Sequence, residues 1–507
     1  MKILSSDAIR TVDAKTIEYN EILSHELMEM AATAFFDYFA DHYSINESTV
    51  ALFCGTGNNG GDGIAVARLL HEKGYVVKLF ILEINDSYSD DCALNIDRAE
   101  KAGVDTTRVT SIKQIPDLSN MGVIVDAIIG AGLSRKLGGL AKDVIEKINE
   151  AQKRVISIDI PSGLFMDKPT AFAIHATETV TFQIPKLALF LPLNYQFVGN
   201  LSILNIGLDA TAISEEETDM YYLDDATMAH KLKPLSKYAH KGTQGHALII
   251  GGSLGKIGSV LLACKASLNS GCGLVTAFVP QCGTNIIQSS FPEAMVLQDH
   301  NQSHISSISY DIQPSGIAIG MGMGQHNETK QAFHQFIEDA FPPLVVDADA
   351  LNILAENSDW LLNLQPNTIL TPHPGELSRL IGKWEDDFEK IALTREFARK
   401  YNLIVVIKGA HTIIVDADNL FVNSTGTPAL ATAGSGDVLS GIIAGLLAQG
   451  YEPIIAAQLG VYIHGMTANI TSDTINPHSF IASDIIENIG KVYDRMNVVK
   501  NSDDLVL

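Results

Sequence analysis

The chain has 507 residues, 46% of them hydrophobic and 19% charged, with a formal net charge of −24. That size and mix suit a soluble globular protein of two to four domains. The acidic balance argues against nucleic acid and anionic membranes as partners, so any phosphate site must be local, built from backbone N–H groups, helix N-termini or bound cations. The five cysteines, Cys54, Cys92, Cys264, Cys272 and Cys282, form no CxxC pair. They point to a reducing compartment rather than a zinc cluster or disulfide framework. The first residues, MKILSSDAIR, lack the apolar centre of a signal peptide. The run Val438–Ala448 is about half the ~20 residues a membrane span needs. We therefore expect a cytoplasmic protein.

In chain order, Val50–Cys54 reads as a buried strand, followed by a Gly-rich loop and a helix near Gly63–Lys73. Val76–Leu82, Val123–Ile128 and Val155–Ile160 read as further strands. Continuous apolar strands separated by helices predict a parallel sheet covered on both faces, with ligands at the carboxyl ends of its strands. The less apolar stretch 214–237, with Glu215, Glu216 and Glu217, is the best candidate for a domain boundary. Beyond it we predict strands at Ala247–Ile250, Leu274–Val279, Gly316–Gly320, Leu344–Asp347 and Leu403–Ile407. Helices are predicted over Gly258–Ser270 and from about Gly436. The fold class is α/β, in two domains.

The loop Gly55-Thr-Gly-Asn-Asn-Gly-Gly-Asp-Gly63 follows a strand and opens a helix. It formally matches GxGxxG, with Glu83 about twenty residues on, but that signal is weak alone. Asn58, Asn59 and Asp62 put polar side chains where a dinucleotide fingerprint wants small ones; their plain role would be to cap the helix. Two further loops meet the same sheet edge, one carrying Asp126 and the run 130–136, the other Asp159 and Ser162. Asp126, Asn59 and Ser162 together would make an all-oxygen nest for a hard cation, leaving Asp159 for acid–base work.

GTGNNGGDG, VDAIIGAGL, DIPSGL, Thr179–Phe182 and Pro185-Lys186 closely resemble the YjeF N-terminal domain, whose enzymatic members are NAD(P)H-hydrate epimerases, over residues 1–215. The resemblance implies a Rossmann-like fold. It implies that Asn58, Asn59, Gly60, Gly61, Asp62, Gly130, Ala131, Gly132, Leu133, Ser134, Arg135 and Lys136 contact the hydrated nucleotide. It also implies potassium on Asn59, Asp126 and Ser162, with Asp159 contacting substrate and serving in catalysis. Asp167-Lys-Pro-Thr170 departs from the family's frequent Asp-Thr-Gly.

In the second half, Ala433-Gly434-Ser435-Gly436-Asp437 opens a helix whose positive end and bare backbone suit a phosphate, with Asp437 in its first turn as a possible base. The plain reading of Asp437 is a first-turn acid favoured by the helix dipole, that of His373 a packed turn residue, and that of Lys408 a strand-end cation. Met321 and Met323 read as packing. With Thr371-Pro-His-Pro-Gly-Glu376 and Lys408–Thr412, the set resembles ADP- or ATP-dependent NAD(P)H-hydrate dehydratases of ribokinase-like fold, over residues 223–495. That implies substrate contact at Ser259, Gly322, His373 and Asp437, with Asp437 as the base. Nucleotide contact is implied at Lys408, Gly409, Ala410, His411, Thr412 and Gly436. Thr427 stands where the family usually has Asn before Pro428, and Ser259-Val260 where it is rich in Ala.

Together the resemblances imply a bifunctional enzyme, isomerase and lyase, that epimerises R and S NAD(P)H hydrate (NADHX or NADPHX) and dehydrates the S form. ADP is the implied co-substrate, giving AMP and phosphate, with K+ in the first domain and Mg2+ in the second. The expected partners are these small molecules and further copies of the chain. One rival is a ribokinase-like kinase for a vitamin hydroxyl; TPHPGE and the paired GNNGGDG domain oppose it. Another is a non-enzymatic RNA-processing scaffold, opposed by the intact Asn59, Asp126, Asp159 and Ser162 set and by the acidic balance.

Overall fold

The computed structural model describes residues 1–45, 49–339 and 343–503. The chain divides into two compact units. One comprises Lys2–Thr218 with Asp386–Phe388; the other comprises Met1, Asp219–Glu385 and the chain from Glu389 on.

The first unit is built on seven strands: β1 (Val50–Cys54), β2 (Val77–Leu82), β3 (Asp105–Val109), β4 (Val123–Ala127), β5 (Arg154–Ile158), β6 (Glu178–Phe182) and β7 (Asn200–Leu204). They are parallel and run in the order β3-β2-β1-β4-β5-β6-β7. Central β1 is buried at every position. Val50, Leu52 and Cys54 join one core with Phe35, Phe39 and Ile64 of the helices Ser24–His42 and Asn58–Lys73. Ala51 and Phe53 join the opposite core with Val144 and Ile148 of the helix Gly139–Glu150. Both faces are covered, so the strand reads as an unbroken apolar run. Strand order reverses between β1 and β4, and a crevice at that point is where open α/β sheets bind ligands.

The second unit has a ten-stranded sheet: β8 (Met220–Leu223), β9 (His246–Ile250), β10 (Leu274–Val279), β11 (Met295–Gln298), β12 (Gly316–Ile319), β13 (Leu344–Val346), β14 (Ile369–Leu370), β15 (Ile404–Ile407), β16 (Ile413–Val415) and β17 (Leu420–Asn423). Their order is β11-β10-β9-β12-β13-β14-β15-β16-β17-β8. Pairing is parallel except where β16 runs antiparallel to β15 and β17. The helix Ser435–Ala448 is buried at every residue except Gly436 and Asp437. A helix apolar all round belongs inside a core. A Cβ on its Gly441 would stand 2.3 Å from the carbonyl oxygen of Ala263, so that glycine permits close packing on the helix Ile257–Asn269. No helix among the described residues is long and apolar enough to cross a membrane.

The structure differs from the sequence reading in places. The passage between units at Thr218–Asp219 falls within the expected boundary stretch 214–237, but that stretch also holds β8 and the helix Asp225–Lys231. Short edge strand β8 is only half-buried, so it lacks an apolar signature. The helix expected from Gly63 begins at Asn58, with Gly57 as its N-cap. All five cysteines are free, and Met321 and Met323 are fully buried.

Candidate active sites

At the switch point of the first sheet lies a cavity of about 600 Å³. Its walls include Asn58, Asn59, Asp62, all seven residues from Gly130 to Lys136, and Asp159. Gly60 and Gly61 instead turn their α-carbons into the fold. A Cβ on Gly60 would stand 2.0 Å from the Gly55 carbonyl oxygen, and one on Gly61 2.7 Å from the Met28 sulfur. Gly57 offers no side-chain cap, so Asn58, Asn59 and Asp62 are not the capping residues that a plain reading allows. The first amides of a 16-residue helix therefore begin without a side-chain acceptor at a cavity wall, which suits an anion. Glu83 is taken up by the Tyr88 hydroxyl and by Arg108 at 3.8 Å, so GxGxxG here is a formal match only.

Asp159 follows β5 with φ at +65°, a left-handed conformation that costs a non-glycine residue on the order of 1 kcal/mol or more. Its Oδ1 accepts from the buried Lys186 ammonium, from Thr181 Oγ1 at 3.1 Å and from the Phe182 amide at 3.2 Å. Lys186 Nζ also donates to Thr181 Oγ1 and the Phe182 carbonyl. Asp13 and Lys186 line the same cavity. Burial pushes the Asp13 carboxyl up to about 6, helped by the charge of Asp159 and opposed by Lys186. Burial, then the charges of Asp159 and Asp13, push Asp62 well above the ordinary range.

Asp126 lies behind this wall, fully buried on β4. It accepts from Ser162 N and Ser157 Oγ, both at 2.8 Å, from Ser162 Oγ at 2.5 Å and from Ile128 N at 3.3 Å. Burial raises its pKa, against the pull of the Ser162 hydrogen bonds. The side chain of Asn59 packs on Gly130 and leaves Nδ2 buried without a partner. An amide can present either terminal atom, so Asn59, Ser162 and Asp126 fit a hard monovalent cation by donor chemistry.

In the second unit, Gly434 takes φ +85° at the N-cap of the helix Ser435–Ala448, again without a side-chain cap. Asp437 stands in its first turn, its carboxyl pushed up to about 6 by burial and by Asp347, while a Ser259 hydrogen bond and Lys408 pull it down. Lys408 Nζ donates to Asp347 Oδ1 at 2.9 Å, lies 3.9 Å from Glu376 Oε2, and would be 3.4 Å from a Cβ on Gly436. Burial works against the Lys408 charge, but Asp347 and Glu376 raise its pKa overall. Asp347 is anchored by Ser440 Oγ at 2.7 Å. Gly322, at φ +63°, backs onto Lys256 and Ser259, since its Cβ would meet the Lys256 oxygen at 2.8 Å. These contacts bring Gly322, Ser259, Asp437, Gly436 and Lys408 together.

His373 is exposed and caps the helix Pro374–Ile381. Its Nδ1 accepts from Gly375 N at 3.0 Å, while Glu376 Oε2 accepts from His373 N at 2.9 Å. His373 is thus an exposed helix cap rather than the packed turn residue of the plain reading, with Nε2 3.4 Å from Glu376 Oε1. Gly409, Ala410, His411 and Thr412 form the β15–β16 turn, closed by Gly409 N donating to Thr412 Oγ1 at 3.4 Å. Thr427 accepts from Ala429 N at 3.3 Å, which is a capping role open to Asn as well. Thr170 holds its departing loop by accepting from Phe165 N at 2.9 Å.

Sequence reasoning assigned no role to Asp13, Lys186, Asp347 or Glu376. Asp13 had a signal: with Ile9 and Ile17 it repeats every four residues on one face of the helix Ser6–Tyr19, a carboxylate inside an apolar stripe.

Residues 247–491 match the NAD(P)H-hydrate dehydratase family, and residues 24–188 match the YjeF-related protein N-terminus family. A bifunctional NAD(P)H-hydrate repair enzyme of Moorella thermoacetica is 34% identical over 483 residues, covering 91% of each chain. The chain belongs to the bifunctional NAD(P)H-hydrate repair enzymes. The enzyme of the same description from Escherichia coli is 31% identical, covering 98% of this chain and 95% of its own. A crystal structure of the ADP/ATP-dependent NAD(P)H-hydrate dehydratase of Bacillus subtilis, co-crystallised with ATP and Mg2+, is 28% identical with a TM-score of 0.48. It covers 55% of this chain and all of its own.

Proposed function

We propose that the two units act in succession on hydrated NAD(P)H. The first interconverts the R and S forms at the Asp159 cavity, and the second converts the S form to NAD(P)H at Asp437, spending ADP. One observation carries this reading. Each unit seats a carboxylate and a lysine together at the carboxyl ends of parallel strands, Asp159 with Lys186 in the first and Asp347 with Lys408 in the second, where the neighbouring Asp437 carboxyl is pushed up to about 6. A pKa near working pH suits a group that both gives and takes protons.

In the second unit, Asp437 takes the proton of the substrate hydroxyl as its oxygen attacks the terminal phosphoryl group of ADP, and AMP leaves. Loss of the phosphate from C6 and of a proton from C5 to water then restores the C5=C6 double bond of the dihydronicotinamide ring. The amides at Gly436 and the Lys408 ammonium meet the phosphoryl charge, and Asp347 and Glu376 hold that ammonium in place. Magnesium is usually held by one or two carboxylates plus phosphates; no cluster of three such ligands occurs among the described residues, so Asp347 or Asp349 would supply a carboxylate and the nucleotide the remaining oxygens, and the ion would balance phosphate charge. In the first unit, uncapped amides of the helix Asn58–Lys73 would receive substrate phosphate, and Lys186 fixes Asp159. Asn59, Asp126 and Ser162 would hold potassium, which would offset the carboxylate charge of that wall.

The test is to mix the purified chain with a racemic NADH hydrate and ADP and follow the absorbance of the reduced ring. Complete conversion supports both activities. Arrest near half limits the chain to the second, and no ADP-dependent recovery contradicts the reading.

A further inference from the structure

Asp13 and Asp159 reach one cavity from different elements, the helix Ser6–Tyr19 and the end of β5. Three donors converge on Asp159 Oδ1, the pattern a carboxylate collects. No hydrogen bond between Asp13 and either neighbour is among those the structure shows; Ile9 and Ile17 flank it one turn away on the same helix, which also brings Ser6 and Arg10 to the cavity. We propose that Asp13 is a second catalytic residue of the epimerase, the acid that works opposite the Asp159 carboxylate on the two faces of the substrate's C6.

The step balances without redox change. Asp13 gives its proton to the C6 hydroxyl, the C6–O bond breaks, and water leaves as the ring nitrogen lone pair forms a C=N bond. A water then adds to C6 from the other face, its oxygen forming the new C6–O bond and its proton passing to Asp159. One water leaves and one enters. Asp159 is now the acid and Asp13 the base, so the site is set for the reverse reaction, as an epimerase requires.

The setting suits the exchange of roles. Burial and the Asp159 charge favour the protonated Asp13, and Lys186 limits that effect. The other charged groups facing the cavity are Arg10 on the same helix, Asp62 and Asp91 on the neighbouring helices, and Arg135 and Lys136 on the loop after β4. Paired carboxyls of unlike protonation are a general solution for acid and base on opposite faces of a ring carbon.

This inference rests on the epimerase reading of the cavity, and the experiment separates the two. R hydrate is supplied alone, and R-to-S exchange is followed for wild type, D13N and D13E, with thermal melts of each. Wild type should exchange, D13N should lose about 100-fold or more in rate while melting no lower than wild type, and D13E should keep activity with its pH profile displaced. No exchange by wild type overturns the reading of the cavity and the proposal with it. Exchange by wild type and undiminished exchange by D13N overturn the proposal alone, as does a D13E profile that superimposes on wild type.

Discussion

The two candidate sites hold their aspartates by opposite means. In the first unit, Asp159 leaves its strand in a left-handed turn and is held on one oxygen by Lys186, Thr181 and the Phe182 amide. In the second, Asp437 sits in regular backbone, in the first turn of a core helix, where the helix itself supplies positive potential. The lysines differ likewise. Lys186 is fully buried and bound to its aspartate, whereas Lys408 is partly open and bound to Asp347, leaving Asp437 as a separate group. The difference suits the proposed reactions: a site that only moves protons and water can bury its cation, while a site that meets a transferring phosphoryl group needs cation and amides facing the substrate.

Removing the carboxyl at position 437 should divide the two sites most sharply. Asp437→Ala should lower recovery of NAD(P)H from S hydrate by about 10²–10⁴-fold and leave R-to-S exchange unchanged, as steady-state assays of each reaction can show. Lys186→Met breaks the pair in the first unit. Taking one partner from a buried ion pair costs about 3–5 kcal/mol, so that unit should melt earlier in calorimetry and exchange should fail.

Subtler changes sharpen the comparison. The Ser259 hydrogen bond lowers the Asp437 pKa. A base must be ionised, so dehydration should rise with pH through about 6. Ser259→Ala removes a stabilising donor and should move that limb upward by about one unit or less, seen in a pH–rate profile. Thr427→Asn should have the smallest effect, a change of about twofold or less in dehydration rate, because Thr and Asn both cap such a turn.

Much of this was legible in the sequence for a physical reason. Central strands such as Val50–Cys54 and His246–Ile250 are covered on both faces and so read as apolar runs. Edge strand β3, Asp-Thr-Thr-Arg-Val, is largely open to solvent and carries no such mark. Nor does two-residue β14. Gly-rich loops announced both helix N-termini, because close approach leaves no room for a side chain at Gly55 or Gly60. Pairing was not legible. Nothing local ties Asp347 to Lys408, 61 residues apart, or Lys186 to Asp159, 27 apart. The proline-flanked His373 could be read both as a contact and as a packed turn residue, and only the accepted Gly375 amide shows that it caps a helix.

The central claim is that two independent sites handle one damaged nucleotide in turn. The most direct measurement is complementation between full-length variants given racemic hydrate and ADP. Asp159→Ala alone should stop near half conversion, Asp437→Ala alone should recover NAD(P)H at least about 10²-fold more slowly, and the two mixed should run to completion. A mixture that also stops near half, or an Asp159→Ala chain unable to consume S hydrate, would contradict it.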